Sequence, residues 1–151
     1  MRRFVLSVGG LGFLPGAPGT YATVVTLGVY LLGVHVGAPW WVWPAAAAIS
    51  GGLLLVVGVP EDERGGADPR WCVLDEVCGT LVAVTGQPTH SPMVVTAGVL
   101  VLFRLFDVLK PPPINLLERL GGSRGVLADD VAAGALANGC VWLLRLLVGH
   151  F

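Results

Sequence analysis

The stretches 22-ATVVTLGVYLLGVHVG-37 and 40-WWVWPAAAAISGGLLLVVGV-59 decide the fold. Between Arg3 and Glu61 the chain carries no Asp, Glu, Lys or Arg. A water-soluble surface needs charge over such a length, so these residues face lipid or other helices. The whole chain of 151 residues agrees, with 54% hydrophobic and 13% charged residues against roughly 25% charged in ordinary soluble domains. Mean hydropathy is +0.77. Composition therefore predicts an integral membrane protein, and length predicts one domain over 1–151. A net charge of −1 excludes the basic excess of a nucleic-acid binder. Cys72, Cys78 and Cys140 are odd in number and form no C-x-x-C, which reads as small buried hydrophobes. The N-terminal MRRFVLSVGGLGFLPG has a short, glycine-broken apolar run and reads as mature sequence rather than a signal peptide.

A helix crosses a bilayer with about 20 mostly apolar residues. Residues 22–37, 40–59, 92–109 and 130–149 fit that requirement, and 70–86 is a shorter fifth candidate, a span or a re-entrant helix. Trp40, Trp41 and Trp43 suggest an interfacial aromatic belt at one end of the second span. Arg2 and Arg3, Arg64 and Arg70, and Lys110, Arg119 and Arg124 fall on one side only if 70–86 restores the alternation. The positive-inside rule makes that side cytoplasmic. The expected fold is an all-α polytopic helix bundle of four to five spans or partial spans, its charged motifs gathered at one membrane face.

Six acids lie at that face: Asp68, Asp75 and Glu76 in DPRWCVLDE, Asp107 in FRLFDVLK, and Asp129 and Asp130 in LADDVAAG. Acids in apolar helices are costly and persist when they pair, line a cavity or bind an ion. Arg70, Arg104 and Lys110 are too few to neutralise six carboxylates, and the Asp129–Asp130 pair has no base within helical reach. A bound divalent cation resolves the excess, and Mg²⁺ prefers such oxygen ligands while sharing a substrate phosphate. Arg104, Asp107 and Lys110 recur every third residue, so the two cations can meet a phosphate as fork and point charge. Pro111, Pro112 and Pro113 stop the helix directly after Lys110. The irregular GGLGFLPGAPGT (9–20) could turn backbone N–H groups towards an anion, although it is neither a Walker loop nor a dinucleotide fingerprint. GGSRG (121–125) reads as a second tight loop, and Ala133, Gly134 and Ala137 as small residues for close helix approach.

Four motifs together resemble the phosphatidylglycerophosphatase A family: GLGFLPGAPGT, DPRWCVLDEVCG, FRLFDVLKP and GGSRGVLADDVAAG, in order along nearly the whole chain. The resemblance implies a Mg²⁺-dependent phosphatase that converts phosphatidylglycerophosphate to phosphatidylglycerol, in a bacterial inner membrane with its site facing the cytoplasm. On this reading Asp75, Glu76, Asp129 and Asp130 hold metal, with Asp68 and Asp107 as further ligands or as groups that orient them. Arg104 and Lys110, with Gly19 and Thr20, bind the phosphate. Activated water attacks phosphorus, or one of the acids forms an aspartyl-phosphate. The alternatives are a small cation transporter or channel subunit, whose acids would line an ion path, and a phosphatase acting on another phospholipid phosphomonoester. No protein partner is evident in the pattern.

Overall fold

The computed structural model describes residues 1–60, 69–117 and 120–148. Among them there are seven α-helices and no strand: α1 (Arg2–Leu6), α2 (Pro18–His35), α3 (Val42–Val57), α4 (Leu74–Val84), α5 (Pro92–Leu109), α6 (Ile114–Leu117) and α7 (Gly122–Val148). The all-α expectation holds.

Local signals set most boundaries. Pro18 and Pro92 occupy first-turn positions of α2 and α5, where a missing N–H costs nothing. Gly37, at φ 78°, lets the chain leave α2. α5 covers the expected 92–109 to the residue. Along α2 the buried residues Gly19, Ala22, Thr23, Thr26, Leu27 and Tyr30 recur every three or four positions, the inward stripe of a packed helix. Thr23 and Thr26 satisfy their hydroxyls within the helix, donating to the carbonyls of Gly19 (3.0 Å) and Ala22 (2.8 Å).

α5 and α7 are long and apolar enough to cross a membrane, yet only 17% and 33% of their apolar windows are buried. The core helix of a soluble protein would bury most of such a window. Here Val24, Leu32, Ile49, Val56, Val101, Leu146 and Leu147 point outward, a distribution that suits lipid as the surrounding solvent.

One expectation is sharpened and two are corrected. Residues 70–86 yield a helix of only 11 residues, α4, which rises about 16 Å, half the hydrocarbon thickness. α4 packs against α2, α3, α5 and α7, so it is the enclosed centre of the bundle rather than a lipid-facing span. It still runs from the charged end to the other end, which keeps the up–down alternation. Second, GGSRG is not a loop. The chain turns at Gly121 (φ 68°) and Gly122 (φ 54°), and α7 begins there, with the Gly125 N–H donating to the Gly121 carbonyl (3.1 Å). The Ser123 hydroxyl accepts from the Val59 N–H (2.6 Å), and this contact with the end of α3 fixes the extra turns. Asp129 and Asp130 therefore lie two turns inside a helix and are buried, not at its entrance. Third, Trp43 belongs to no interfacial belt. It packs edge-on against Tyr30, centroids 5.0 Å apart, and covers Gly33, while Trp40 and Trp41 stay exposed.

Candidate active site

α4 and α7 run parallel and meet at glycines. A methyl group on Gly134 would collide with the Gly79 carbonyl, and one on Gly79 would stand 2.6 Å from the Asp130 carbonyl oxygen. Only backbones without side chains can approach this closely. One turn before each glycine stands an acid, Asp75 before Gly79 and Asp130 before Gly134, so the crossing brings the acids together. Asp75, Glu76 and Asp130 each offer a carboxylate oxygen, all within 4.8 Å of one another. Asp75 and Asp130 are buried and Glu76 is half-buried. The first turn of α4, with its free N–H groups, is a favourable place for Asp75 and Glu76.

Around this trio stands a second set of charges. Lys110 closes α5 in the left-handed region, φ 43° and ψ 56°, with its N–H donating to the Phe106 carbonyl (2.9 Å). A lysine there is uncommon, and the three prolines that follow leave the helix no continuation. From this corner its Nζ reaches Asp129 Oδ2 at 2.7 Å. The other oxygen of Asp129 accepts from the Asp130 N–H (3.0 Å). Arg104 Nη1 lies 2.8 Å from Asp107 Oδ2. Asp107 and Asp129 thus pair with nearby bases, Asp129 across helices.

Gly19, in the first turn of α2, is pressed against this group. A side chain there would strike the Glu76 carboxylate and lie 3.1 Å from Arg104 Nη1. The first turn of α2 and the end of α5 enclose a cavity of about 290 Å³, lined by Gly19, Arg70, Cys72, Glu76, Arg104 and Lys110 among others.

Of the residues expected in the site, Asp75, Glu76 and Asp130 form the carboxylate trio. Asp129 stands beside it, held to Lys110. Gly19, Arg104, Asp107 and Lys110 line the cavity, and Thr20 does not. Asp68 lies outside the described residues. Sequence reasoning missed the place of Arg70 in this cavity, counting it only as a partner for acids. Its position five residues before Asp75 in one motif was the available signal. The Cys78 thiol is buried and donates to the Ala47 carbonyl (3.3 Å), which leaves it structural.

All five acids among the described residues sit at this end of the bundle. The far end holds Trp43, the Arg145–His90 contact (2.7 Å) and the Asn138 amide, which donates to the carbonyls of Val82, Ala83 and Thr85.

The model of the family Phosphatidylglycerophosphatase A matches residues 4–145. The chain is 30% identical over 150 residues to Phosphatidylglycerophosphatase A of Escherichia coli K12, covering 97% of this chain and 83% of that one. It is 34% identical over 137 residues to the Haemophilus influenzae protein of the same name, covering 88% and 82%. A Bacteroides thetaiotaomicron protein, provisionally named a phosphatidylinositol-3-phosphatase, is 28% identical over 149 residues, covering 93% and 91%. No solved structure matches. The match takes in all four motifs and every helix that carries the site, and on it the chain belongs to the phosphatidylglycerophosphatase A family, a family of phosphoric monoester hydrolases.

Proposed function

We propose that the protein hydrolyses the terminal phosphate monoester of phosphatidylglycerophosphate, releasing phosphatidylglycerol and inorganic phosphate in phospholipid biosynthesis. The observation that carries this reading is the trio of carboxylates beside a cation-lined cavity. Family membership supports the substrate.

The donor set of the trio is three carboxylates with no nitrogen or sulfur, which fits Mg²⁺. Asp75, Glu76 and Asp130 would hold the ion, which supplies charge neutralisation at phosphorus and acidifies water. Asp129 keeps Lys110 directed at the site and, through the Asp130 N–H, holds the trio's third member in place. Arg104, oriented by Asp107, and Lys110 meet the non-bridging oxygens, where charge builds as the ester bond loosens. The first turn of α2 at Gly19 adds backbone N–H groups towards the same anion. A water oxygen forms the new bond to phosphorus as the bond to the glycerol oxygen breaks. A carboxylate of the set takes the water proton, and the glycerol oxygen leaves as a hydroxyl once protonated.

The chain is read as a single membrane domain, multi-pass in a bacterial inner membrane with the site facing the cytoplasm. Arg2, Arg3, Arg70, Lys110 and Arg124 at the site end support this orientation. An ion path is disfavoured, since the described acids do not extend along the bundle. A phosphatase for another phospholipid monoester is the second reading, favoured by the name of the Bacteroides relative.

The test is phosphate release from phosphatidylglycerophosphate in detergent micelles, with and without Mg²⁺. Mg²⁺-dependent release is expected. No release from folded protein sinks the substrate, and phosphatidylinositol 3-phosphate is then the next lipid.

A further inference from the structure

Arg70 is the one cation of the cavity to which the proposed chemistry gives no task. It sits on a tight turn closed by the Cys72 N–H donating to the Pro69 carbonyl (2.7 Å), in which Arg70 and Trp71 are the corner residues. That turn is held on three sides. Trp71 stacks on Phe13, centroids 5.8 Å apart, and the Arg3 guanidinium lies 5.7 Å from the Trp71 ring centre. Gly12 lies so close beneath the Trp71 carbonyl that a side chain would collide with it, and the Val73 N–H donates to the Leu6 carbonyl (2.9 Å). A guanidinium on so fixed a base loses less freedom on gripping an anion.

Its neighbours in the cavity are already engaged, Arg104 by Asp107 and Lys110 by Asp129. Among the described residues no carboxylate pairs with Arg70. Arg70 is exposed where Glu76, the member of the trio that lines the cavity, is half-buried, so Arg70 stands nearer the mouth and Glu76 deeper. Phosphatidylglycerophosphate and phosphatidylinositol 3-phosphate share one chemical plan. Each carries a terminal monoester and, nearer the acyl chains, a phosphodiester with a single negative charge. A lipid whose monoester reaches the trio leaves its diester near the mouth.

We propose that Arg70 binds the phosphodiester of the lipid substrate and makes the site selective for headgroups with two phosphates. The assignment rests on the phosphatase reading above and adds the second anion that the site recognises. Arg70 positions the substrate and takes no part in bond breaking.

The experiment compares wild type with Arg70→Gln in micelles, using two inhibitors of phosphate release. Phosphatidylglycerol carries only the diester, and inorganic phosphate mimics only the reacting group. Arg70→Gln is expected to raise KM for phosphatidylglycerophosphate and the inhibition constant of phosphatidylglycerol by roughly five- to tenfold. Inhibition by inorganic phosphate should stay within about twofold of wild type. Arg70→Lys should recover part of the loss, because a point charge replaces a fork. Arg124→Gln removes a cation at the same end of the bundle but outside the cavity, and should leave both constants in place. Equal weakening of both inhibitors would put Arg70 on the reacting phosphate and overturn the proposal. So would unchanged constants, or the same shift in Arg124→Gln, which would mark a general surface charge effect. Failure of the phosphatase reading is distinguishable, because it appears as no release by wild type and takes this assignment with it.

Discussion

Gly79 of α4 and Gly134 of α7 touch backbone to backbone, and each stands four residues after an acid of the carboxylate trio. The distance between the two helices therefore sets the distance between Asp75 and Asp130. Gly134→Ala must push the helices apart, because the obstacle is the Gly79 backbone rather than a movable side chain. Overpacking of this kind costs about 1–3 kcal/mol. A lower thermal midpoint in detergent and a loss of turnover larger than that destabilisation are expected. Gly139→Ala on the same helix meets nothing within 4 Å and should be neutral or slightly stabilising, as an alanine in a helix is favoured by roughly 1 kcal/mol.

Gly19→Ala should behave differently. The atoms in its way are the Glu76 carboxylate and the Arg104 guanidinium, which can swing aside. Folding should survive, with a thermal midpoint near that of wild type, while phosphate release falls by about tenfold or more as two site groups are displaced. Equal losses of stability and activity would contradict the cavity described for this corner.

Metal removal gives a prediction with a readout besides turnover. Chelation should abolish phosphate release and Mg²⁺ restore it. Mg²⁺ should also raise the thermal midpoint, by up to about 2.7 kcal/mol of stabilisation at a hundredfold excess over its dissociation constant. In Asp130→Asn and Glu76→Gln that stabilisation should shrink or vanish. A Mg²⁺ shift retained in both variants would place the ion elsewhere.

Asp129→Asn separates the neighbouring acid from the trio. Asp129 orients Lys110 and accepts from the Asp130 N–H, so its loss is expected to cost about 10–100-fold in activity while a Mg²⁺-dependent thermal shift persists. Lys110→Met leaves the Asp129 carboxylate, 9% exposed, without its ammonium. It should cost up to about 3 kcal/mol of stability and most of the activity. Thermal melts and release assays on the two single variants and the double variant would measure the coupling.

The outer frame was legible because its signals are local. Ser91-Pro92 opens α5 and Lys110-Pro111 ends it, so its limits could be read from the chain alone. The site acids were legible as a group, since charge in an apolar chain needs a reason. What could not be read depends on contacts far apart in sequence. Lys110 and Asp129 are 19 residues apart and meet only because α5 and α7 end and begin side by side. GGSRG has the composition of a turn, and only the Ser123 contact with Val59 and packing by Val126 make it helical. α4 is shorter than its apolar run because Cys72 and Val73 are spent on the turn that pins Arg70 and on the bond to Leu6. Trp43 could be seen as aromatic and interfacial, but not as the lid over Gly33.

The shortness of α4 has a consequence for synthesis of the protein. Eleven residues with two acids in the first turn make a poor stop for the translocon, and α4 leans most on α7, which is made after it. Until α7 is inserted, Asp75 and Glu76 have no Asp130 beside them. On the proposed metal site, a nascent chain stopped before α7 is expected to release no phosphate from lipid.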